Sequence, residues 1–302
     1  MLFDILKADI EEIHNELFVK KQVTVSVLRL DKIHPVVSGN KLFKLHYFLK
    51  EAIDSKHKTI LTFGGAYSNH LAATAFACRQ LQLKCIGIVR GEKPAVLSST
   101  LLQCVEDGMQ LNFICRQEYE KKENPVFMNT LKAEFGDCLM IPEGGYHPMG
   151  AKGAALIMTL IKDNFYTHIC TASGTATTLA GMLLAAKREQ TVVSFPVLKG
   201  ITDNKTRVKQ LTGKADDFKN LLILNNYHFG GYAKKTDQLI NFMNDCWLQY
   251  QLPLDFVYTA KMFFGIIDSI KNDTFEKGSK ILCLHTGGLQ GNKSLPLNSL
   301  LF

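Results

Sequence analysis

The chain has 302 residues, 46% of them apolar and 21% charged, with a formal net charge of +7. That length allows a sizeable core in one large or two small domains, and no run of 18 apolar residues suggests a membrane span. The basic residues are scattered, with Lys205-x-Arg207-x-Lys209 the densest group and no interleaved aromatic stripe, which argues against nucleic acid as a partner.

Residues 1–7 lack the basic start and long apolar run of a secretory signal. Residues 8–20 carry Ile10, Ile13, Leu17 and Phe18 at helical spacing and predict an amphipathic helix. A strand follows over 23–30, rich in β-branched residues, then a loop with Pro35 and Gly39, then a helix over 41–54. A short buried strand at 59–63 ends at Gly64-Gly65, and Ser68 or Asn69 can cap the next helix, which runs to about Leu81. Strands are expected at 84–89 and 110–115, with a helix at 98–107 between them. The alternation then repeats: strand 139–142, helix 150–164, strand 167–171, helix 177–188. Strands at 191–197, 221–224 and 280–284 and helices at 235–250 and 259–272 complete the pattern. Strand–helix alternation of this kind predicts an α/β fold with parallel sheets and crossover helices. The eight cysteines form no C-x-x-C pair and sit mostly in apolar runs. They read as small hydrophobes in a reducing cytoplasm.

The polar motifs cluster just after strands, where ligands bind in open α/β sheets. Gly39-Asn40-Lys41 places a lysine at a helix start, a position the helix dipole disfavours. A desolvated lysine there can bind an aldehyde, and Lys44, three residues on, is its rival. Gly64-Gly65-Ala66-Tyr67-Ser68-Asn69-His70 offers backbone N–H groups for a carboxylate and the Ser68 hydroxyl for substrate or proton. Ser173-Gly174-Thr175-Ala176-Thr177-Thr178 offers hydroxyls and a helix start for a phosphate, without the Gly-Lys-Ser/Thr ending of a P-loop. Simple helix caps are the competing account of both segments. Thr286, in His285-Thr286-Gly287-Gly288, follows an apolar strand and can face a ring. His70 and His285 lack metal-ligand spacing and read as packed histidines, so no metal is expected. An amine, a carboxylate cradle and a phosphate cradle together suit pyridoxal 5′-phosphate (PLP).

In this order the motifs resemble the 1-aminocyclopropane-1-carboxylate (ACC) deaminase and D-cysteine desulfhydrase family of PLP enzymes, over about residues 23–291. The resemblance makes Lys41 the cofactor-bearing lysine. It makes Ser68, Asn69 and His70 the substrate-carboxylate segment, with Asn69 also at the cofactor ring. Pro142-Glu143-Gly144-Gly145, with Gly150 and Gly153, matches the domain-connecting motif. Ser173, Gly174, Thr175, Ala176 and Thr177 match the phosphate loop, Val257-Tyr258-Thr259-x-Lys261 and His285-Thr286-Gly287-Gly288 the two late motifs, and Tyr232 a further active-site tyrosine. It implies two open, twisted parallel-sheet domains with helices on both faces and PLP in the cleft between them: a small domain of 47–150 and a large one of 1–46 and 151–302. It also implies a homodimer.

The chain departs from this family at three places. The phosphate loop holds one glycine, Gly174, and Arg29-Leu30-Asp31 is a weaker form of the family's basic-acidic run. Thr259 stands where ACC deaminases carry a glutamate beside the pyridine nitrogen, which points away from ACC ring opening. The expected activity is therefore elimination from a small amino acid, D-cysteine foremost, giving pyruvate, ammonia and sulfide. Lys41 or Tyr258 is the expected base. ACC deamination to 2-oxobutyrate, racemisation and non-catalytic binding of PLP or another metabolite are the alternatives.

Overall fold

The computed structural model describes residues 8–34, 37, 39–162, 166–215 and 217–302. Among these, the chain runs β1 (Ile10–Ile13), α1 (Glu16–Lys21), β2 (Thr24–Leu28), α2 (Lys41–Asp54), β3 (Thr59–Gly64), α3 (Asn69–Gln80), β4 (Lys84–Arg90), α4 (Ser99–Glu106) and β5 (Met109–Ile114). Then come α5 (Arg116–Tyr119), α6 (Pro125–Phe135), β6 (Leu139–Ile141), α7 (Pro148–Ala155), β7 (His168–Ser173), α8 (Thr177–Ala185), β8 (Thr191–Pro196) and α9 (Asn204–Thr212). The chain ends with β9 (Leu221–Ile223), α10 (Asp237–Tyr250), α11 (Thr259–Lys271) and β10 (Lys280–Leu284).

The strands form two sheets, in the orders β1-β2-β10-β7-β8-β9 and β5-β4-β3-β6. All pairings are parallel except β1 with β2. Alternating residues of each strand point to opposite faces, and both faces of both sheets are covered. In the larger sheet Leu28, Ile169, Val192 and Leu282 pack towards Ala151, Leu179 and Val208 on α7, α8 and α9. Their neighbours Val27, Cys170, Val193 and Cys283 pack towards Met243 and Phe263 on α10 and α11. In the smaller sheet Ile60, Cys85 and Val89 join that first cluster with Leu49, Leu71 and Leu101, while Leu61, Phe63, Ile86 and Ile88 meet Tyr119 and Leu131. One core thus binds the two sheets together. Seven of the eight cysteines are buried in these layers and all are unpaired.

The strand order reverses between β7 and β10 in one sheet and between β3 and β6 in the other. Such switch points open a crevice beyond the strand ends. The motifs at residues 64–70, 143–145, 173–178 and 285–288 follow those four strands.

Three expectations differ from what is observed. The helix expected over 8–20 is a strand and a short helix. Residues 10–13 pair antiparallel with β2, Ile10 opposite Leu28 and Ile13 opposite Val25. The open edge of β2 supplies backbone partners that a helix would leave unmet, and Glu11 meets Arg29 at 2.6 Å. Helix α1 begins only where Asn15 caps it, accepting from the Leu17 N–H at 2.8 Å. The helix expected over 150–164 ends at Ala155 and tightens to a 3₁₀ turn over Leu156–Leu160. Its last residues, with the expected loop at Pro35 and residues 1–7, lie outside the described residues. Helices α6 and α9 were not expected. Only Leu131 is buried in the first, and Asn204, Val208 and Leu211 in the second, so their apolar signal is thin.

Candidate active site

Lys41 is the first residue of α2, and the turn before it is clamped from the far end of the chain. Gly39 has φ +86°, and a Cβ there would stand 1.8 Å from the Thr286 carbonyl oxygen. Glycine alone fits both that conformation and that approach. The Asn40 N–H donates to the same carbonyl at 3.1 Å. The Asn40 amide then donates from Nδ2 to Thr178 Oγ1 at 2.8 Å and accepts at Oδ1 from Lys41 Nζ at 2.7 Å. Burial pushes the Lys41 ammonium down to about 8, against the opposing pull of the Asp255 charge. An amine so placed is partly free base near neutral pH and ready as a nucleophile.

The cavity around it encloses about 510 Å³ out to its open mouth, lined by Lys41, Lys44, Asn69, Gly144, residues 172–178, Tyr258 and Thr286 among others. The sequence-expected residues Lys41, Asn69, Ser173, Gly174, Thr175, Ala176, Thr177, Tyr258 and Thr286 therefore line one cavity. Lys44 lines it as well, so the two lysines are neighbours with one chamber between them. Lys44 is 4% exposed, and its ammonium has no hydrogen-bond partner among the described residues. Burial first, and then the charge of Lys41, hold it well below the ordinary lysine range. An anion brought beside it would restore its proton.

The loop after β7 offers hydroxyls and free helix N–H groups that an anion could use. Thr175 and Thr177 share a hydroxyl hydrogen bond at 2.9 Å, and Ser173 shares one with Ser194 at 2.9 Å. Ala176 precedes α8 in the left-handed region (φ 62°) and supplies no side-chain cap. The first N–H groups of α8 thus point into the cavity region without a side-chain acceptor. Gly174 lies against Tyr258, whose ring would be 3.2 Å from a Cβ at that position.

At α3 the arrangement differs. Ser68 caps the helix, its Oγ accepting from the Leu71 N–H at 3.2 Å. Asn69 donates from Nδ2 to the Gly288 carbonyl at 3.2 Å, while its buried Oδ1 has no partner. Ser68, His70 and Tyr232 are not part of the cavity lining. His70, in the first turn of α3, is buried against β3 of the smaller sheet. Thr62 donates its hydroxyl to the Ile141 carbonyl at 2.8 Å, so the 2.9 Å contact from His70 Nε2 to Thr62 Oγ1 puts the proton on Nε2. Burial, with Lys44 and Lys41 nearby, lowers His70 to about 3, so it stays neutral.

Tyr258 closes the opposite side. Its ring centroid is 6.0 Å from Lys41 Nζ and 6.1 Å from the Tyr232 ring. Burial, and next the Tyr232 hydroxyl, push its phenol well above the ordinary range, so it keeps its proton. Asp255 positions it. That fully buried carboxylate accepts from the Val257, Tyr258 and Thr259 N–H groups at 3.0, 2.7 and 2.9 Å and from Thr259 Oγ1 at 2.7 Å. The Thr259 hydroxyl is therefore spent on Asp255 rather than turned to the cavity. Lys261, fully buried, donates to the His228 and Gly231 carbonyls at 2.9 and 2.6 Å and holds the loop that carries Tyr232. Arg29 pairs with Asp31 at 2.7 Å, and Asp31 lies 3.3 Å from His285, which fixes the backbone before Thr286. Neither Asp255 nor the anchoring role of Lys261 was visible in the sequence. An Asp three residues before a tyrosine that starts a helix is a capping pattern that would have flagged the first.

A model of the family "Pyridoxal-phosphate dependent enzyme" matches residues 18–287. A Pyrococcus abyssi protein named putative 1-aminocyclopropane-1-carboxylate deaminase is 30% identical over 89% of this chain and 86% of its own. An Arabidopsis thaliana protein named bifunctional D-cysteine desulfhydrase/1-aminocyclopropane-1-carboxylate deaminase, mitochondrial, is 28% identical over 84% of this chain and 70% of its own. The crystal structure of an ACC deaminase homologue superposes with a TM-score of 0.81 at 26% identity, over 96% of this chain and 92% of that one.

Proposed function

Because the chain belongs to the pyridoxal-phosphate-dependent enzyme family, we propose that it eliminates the β-substituent of a small amino acid, D-cysteine foremost. D-cysteine and water then give pyruvate, ammonia and sulfide. The observation that carries this is the Lys41 amine, lowered to about 8 inside a chamber that also holds an unpaired lysine and an uncapped helix start. When bound, PLP supplies an aldehyde for the substrate amine and a ring that takes up the electron pair left by the departing α-proton.

The residues present fit that group. The N–H groups of α8, the Thr175 and Thr177 hydroxyls and the Lys44 ammonium suit a phosphate. The unpartnered Asn69 Oδ1 marks an amide that can turn to a ring hydroxyl. The chain's own groups then divide the work. Lys41, as free amine, takes the α-proton, since Tyr258 holds its own proton too firmly to be the base. Tyr258 orients through its hydroxyl. The α3 start at Ser68 and Asn69 holds the substrate carboxylate, and Tyr232 closes over it.

ACC deamination is the second reading, favoured by the name of the archaeal relative. Against it, the cavity lining among the described residues holds two lysines and no carboxylate, and Thr259 is tied to Asp255. Nothing there would keep a proton on the ring nitrogen that ACC opening calls for. Pyruvate with one equivalent of sulfide from D-cysteine supports the first reading. Release of 2-oxobutyrate from ACC alone overturns it.

We also propose a small domain of residues 47–150 and a large one of 1–46 and 151–302; the four strands of the smaller sheet all fall between Thr59 and Ile141. A homodimer follows from the family resemblance and is testable by sedimentation. A cytoplasmic setting accords with eight unpaired cysteines, and among the described residues no helix is long and apolar enough to cross a membrane.

A further inference from the structure

Arg90 ends β4, which lies beside β3 with Val89 opposite Gly64. Its exposed side chain therefore rises next to the loop from Gly64 to α3. Nη2 lies 3.5 Å from where a Cβ on Gly65 would stand, so the guanidinium rests against the loop backbone. On its other side the nearly buried Tyr119 ring sits 5.9 Å from the guanidinium carbon. This contact fixes the group without neutralising it.

Among the described residues no carboxylate pairs with Arg90. The nearby Glu143 is held by Lys122 at 3.5 Å. Both the Glu143 carboxylate and the Arg90 guanidinium act on the Tyr232 hydroxyl, the carboxylate the more strongly, and Tyr232 packs on the Tyr258 that faces Lys41. Arg90 thus stands on the same rim as the two segments assigned to the substrate, fixed in place and without a counter-ion. A guanidinium in that state binds carboxylate, sulfonate or phosphate through two parallel hydrogen bonds.

We infer that Arg90 selects the substrate by pairing with a negative charge on its side chain, so that the site takes α-amino acids with an anionic β-substituent. The inference rests on the PLP reading of the cavity. It deepens that reading, because a β-phosphate ester would leave as phosphate in the same elimination. A cysteine thiolate would first need a proton, so that it leaves as hydrosulfide.

The test compares PLP-loaded wild type with Arg90→Gln and Arg90→Lys. The D and L forms of O-phosphoserine and of serine are titrated while the visible absorption of the cofactor is followed. The expected result is that wild type prefers phosphoserine by about tenfold or more, and that Arg90→Gln loses that factor while serine affinity stays within about twofold. Arg90→Lys recovers part of the preference, keeping the charge without the fork. Equal losses for both amino acids would make Arg90 a prop for the loop and overturn the inference, as would a wild type without preference. If wild type shows no visible cofactor band, the PLP reading fails by itself. The inference is then decided by thermal shift with phosphoserine: a shift that Arg90→Gln abolishes supports it, and a shift that persists, or none at all, overturns it.

Discussion

Helices α3 and α8 start in equivalent places, each just beyond the end of a strand at its sheet's switch point. They are finished differently. The start of α3 is met from within by Ser68, whose hydroxyl takes the Leu71 N–H. The start of α8 has no side-chain cap, and a left-handed alanine leads into it. A capped start is stable alone and can spare its remaining donors for a ligand that comes and goes. An uncapped start beside an unpaired, buried lysine is costly alone and suits a ligand that stays. The contrast supports the proposal that the substrate meets α3 and the phosphate meets α8.

The largest expected effect tests the lysine between them. Lys41→Ala should lower turnover by at least about 10²–10⁴-fold, and borohydride should no longer fix cofactor to the chain. Reductive label found on Lys44 instead, by peptide mass, would exchange the two lysines and undo the contrast. Next, Lys44→Met should weaken PLP affinity by about tenfold or more, since a charged hydrogen bond is worth about 1.5–3 kcal/mol. The apo-protein should be no less stable, because a buried unpaired amine is removed. A loss of apo stability with unchanged affinity would show that Lys44 serves packing alone.

A matched pair sharpens the comparison further. Thr175→Val should cost PLP affinity about 0.5–1.5 kcal/mol and leave thermal stability near wild type. Ser68→Ala should do the reverse, costing roughly 1 kcal/mol of stability with PLP affinity retained. Equal behaviour of the two variants would erase the distinction between the helix starts. The smallest effect is on pH. Below about 8 the Lys41 amine is mostly protonated, so the rate of PLP capture should rise with pH and level off above about 8. Over the interval from 8 to the ordinary lysine value of 10.5, the unfolded chain binds a proton at Lys41 that the folded chain lacks. Apo stability should therefore increase with pH across that window, and by less in Lys41→Met. A flat capture profile would mean that Lys41 is not desolvated.

Much of this arrangement was readable beforehand because parallel strands announce themselves. Thr59–Gly64 and His168–Ser173 are short apolar runs, each followed by a polar turn and a helix, and the ligand-facing residues sit in those turns. Lys41, Asn69, the 173–177 loop and Thr286 were named from their polar motifs together with the family resemblance, and all of them line the cavity. Ile10 and Ile13 were misread because their spacing suits a helix, while the deciding partner, the edge of β2, lies a dozen residues away. Asp255 and Lys261 also escaped functional notice. Asp255 acts locally, through the N–H groups of Val257, Tyr258 and Thr259 in a capping pattern, while Lys261 reaches two carbonyls about thirty residues away that only the folded chain brings near. Thr259 stands out by residue type, but its hydroxyl goes to Asp255, a partner that residue type alone does not reveal.

The clamp between Gly39, Asn40 and Thr286 also sets a time order. A ribosome adds about 245 residues between Lys41 and Thr286, a delay of roughly 12–50 s at ordinary elongation rates of about 5–20 residues per second. Until β10 has been made and docked, the turn lacks its Thr286 contacts and keeps only those to Leu30 and Thr178. The burial that lowers Lys41 to about 8 therefore depends on the last strand of the sheet, and if Lys41 binds the cofactor, capture waits until the chamber is complete.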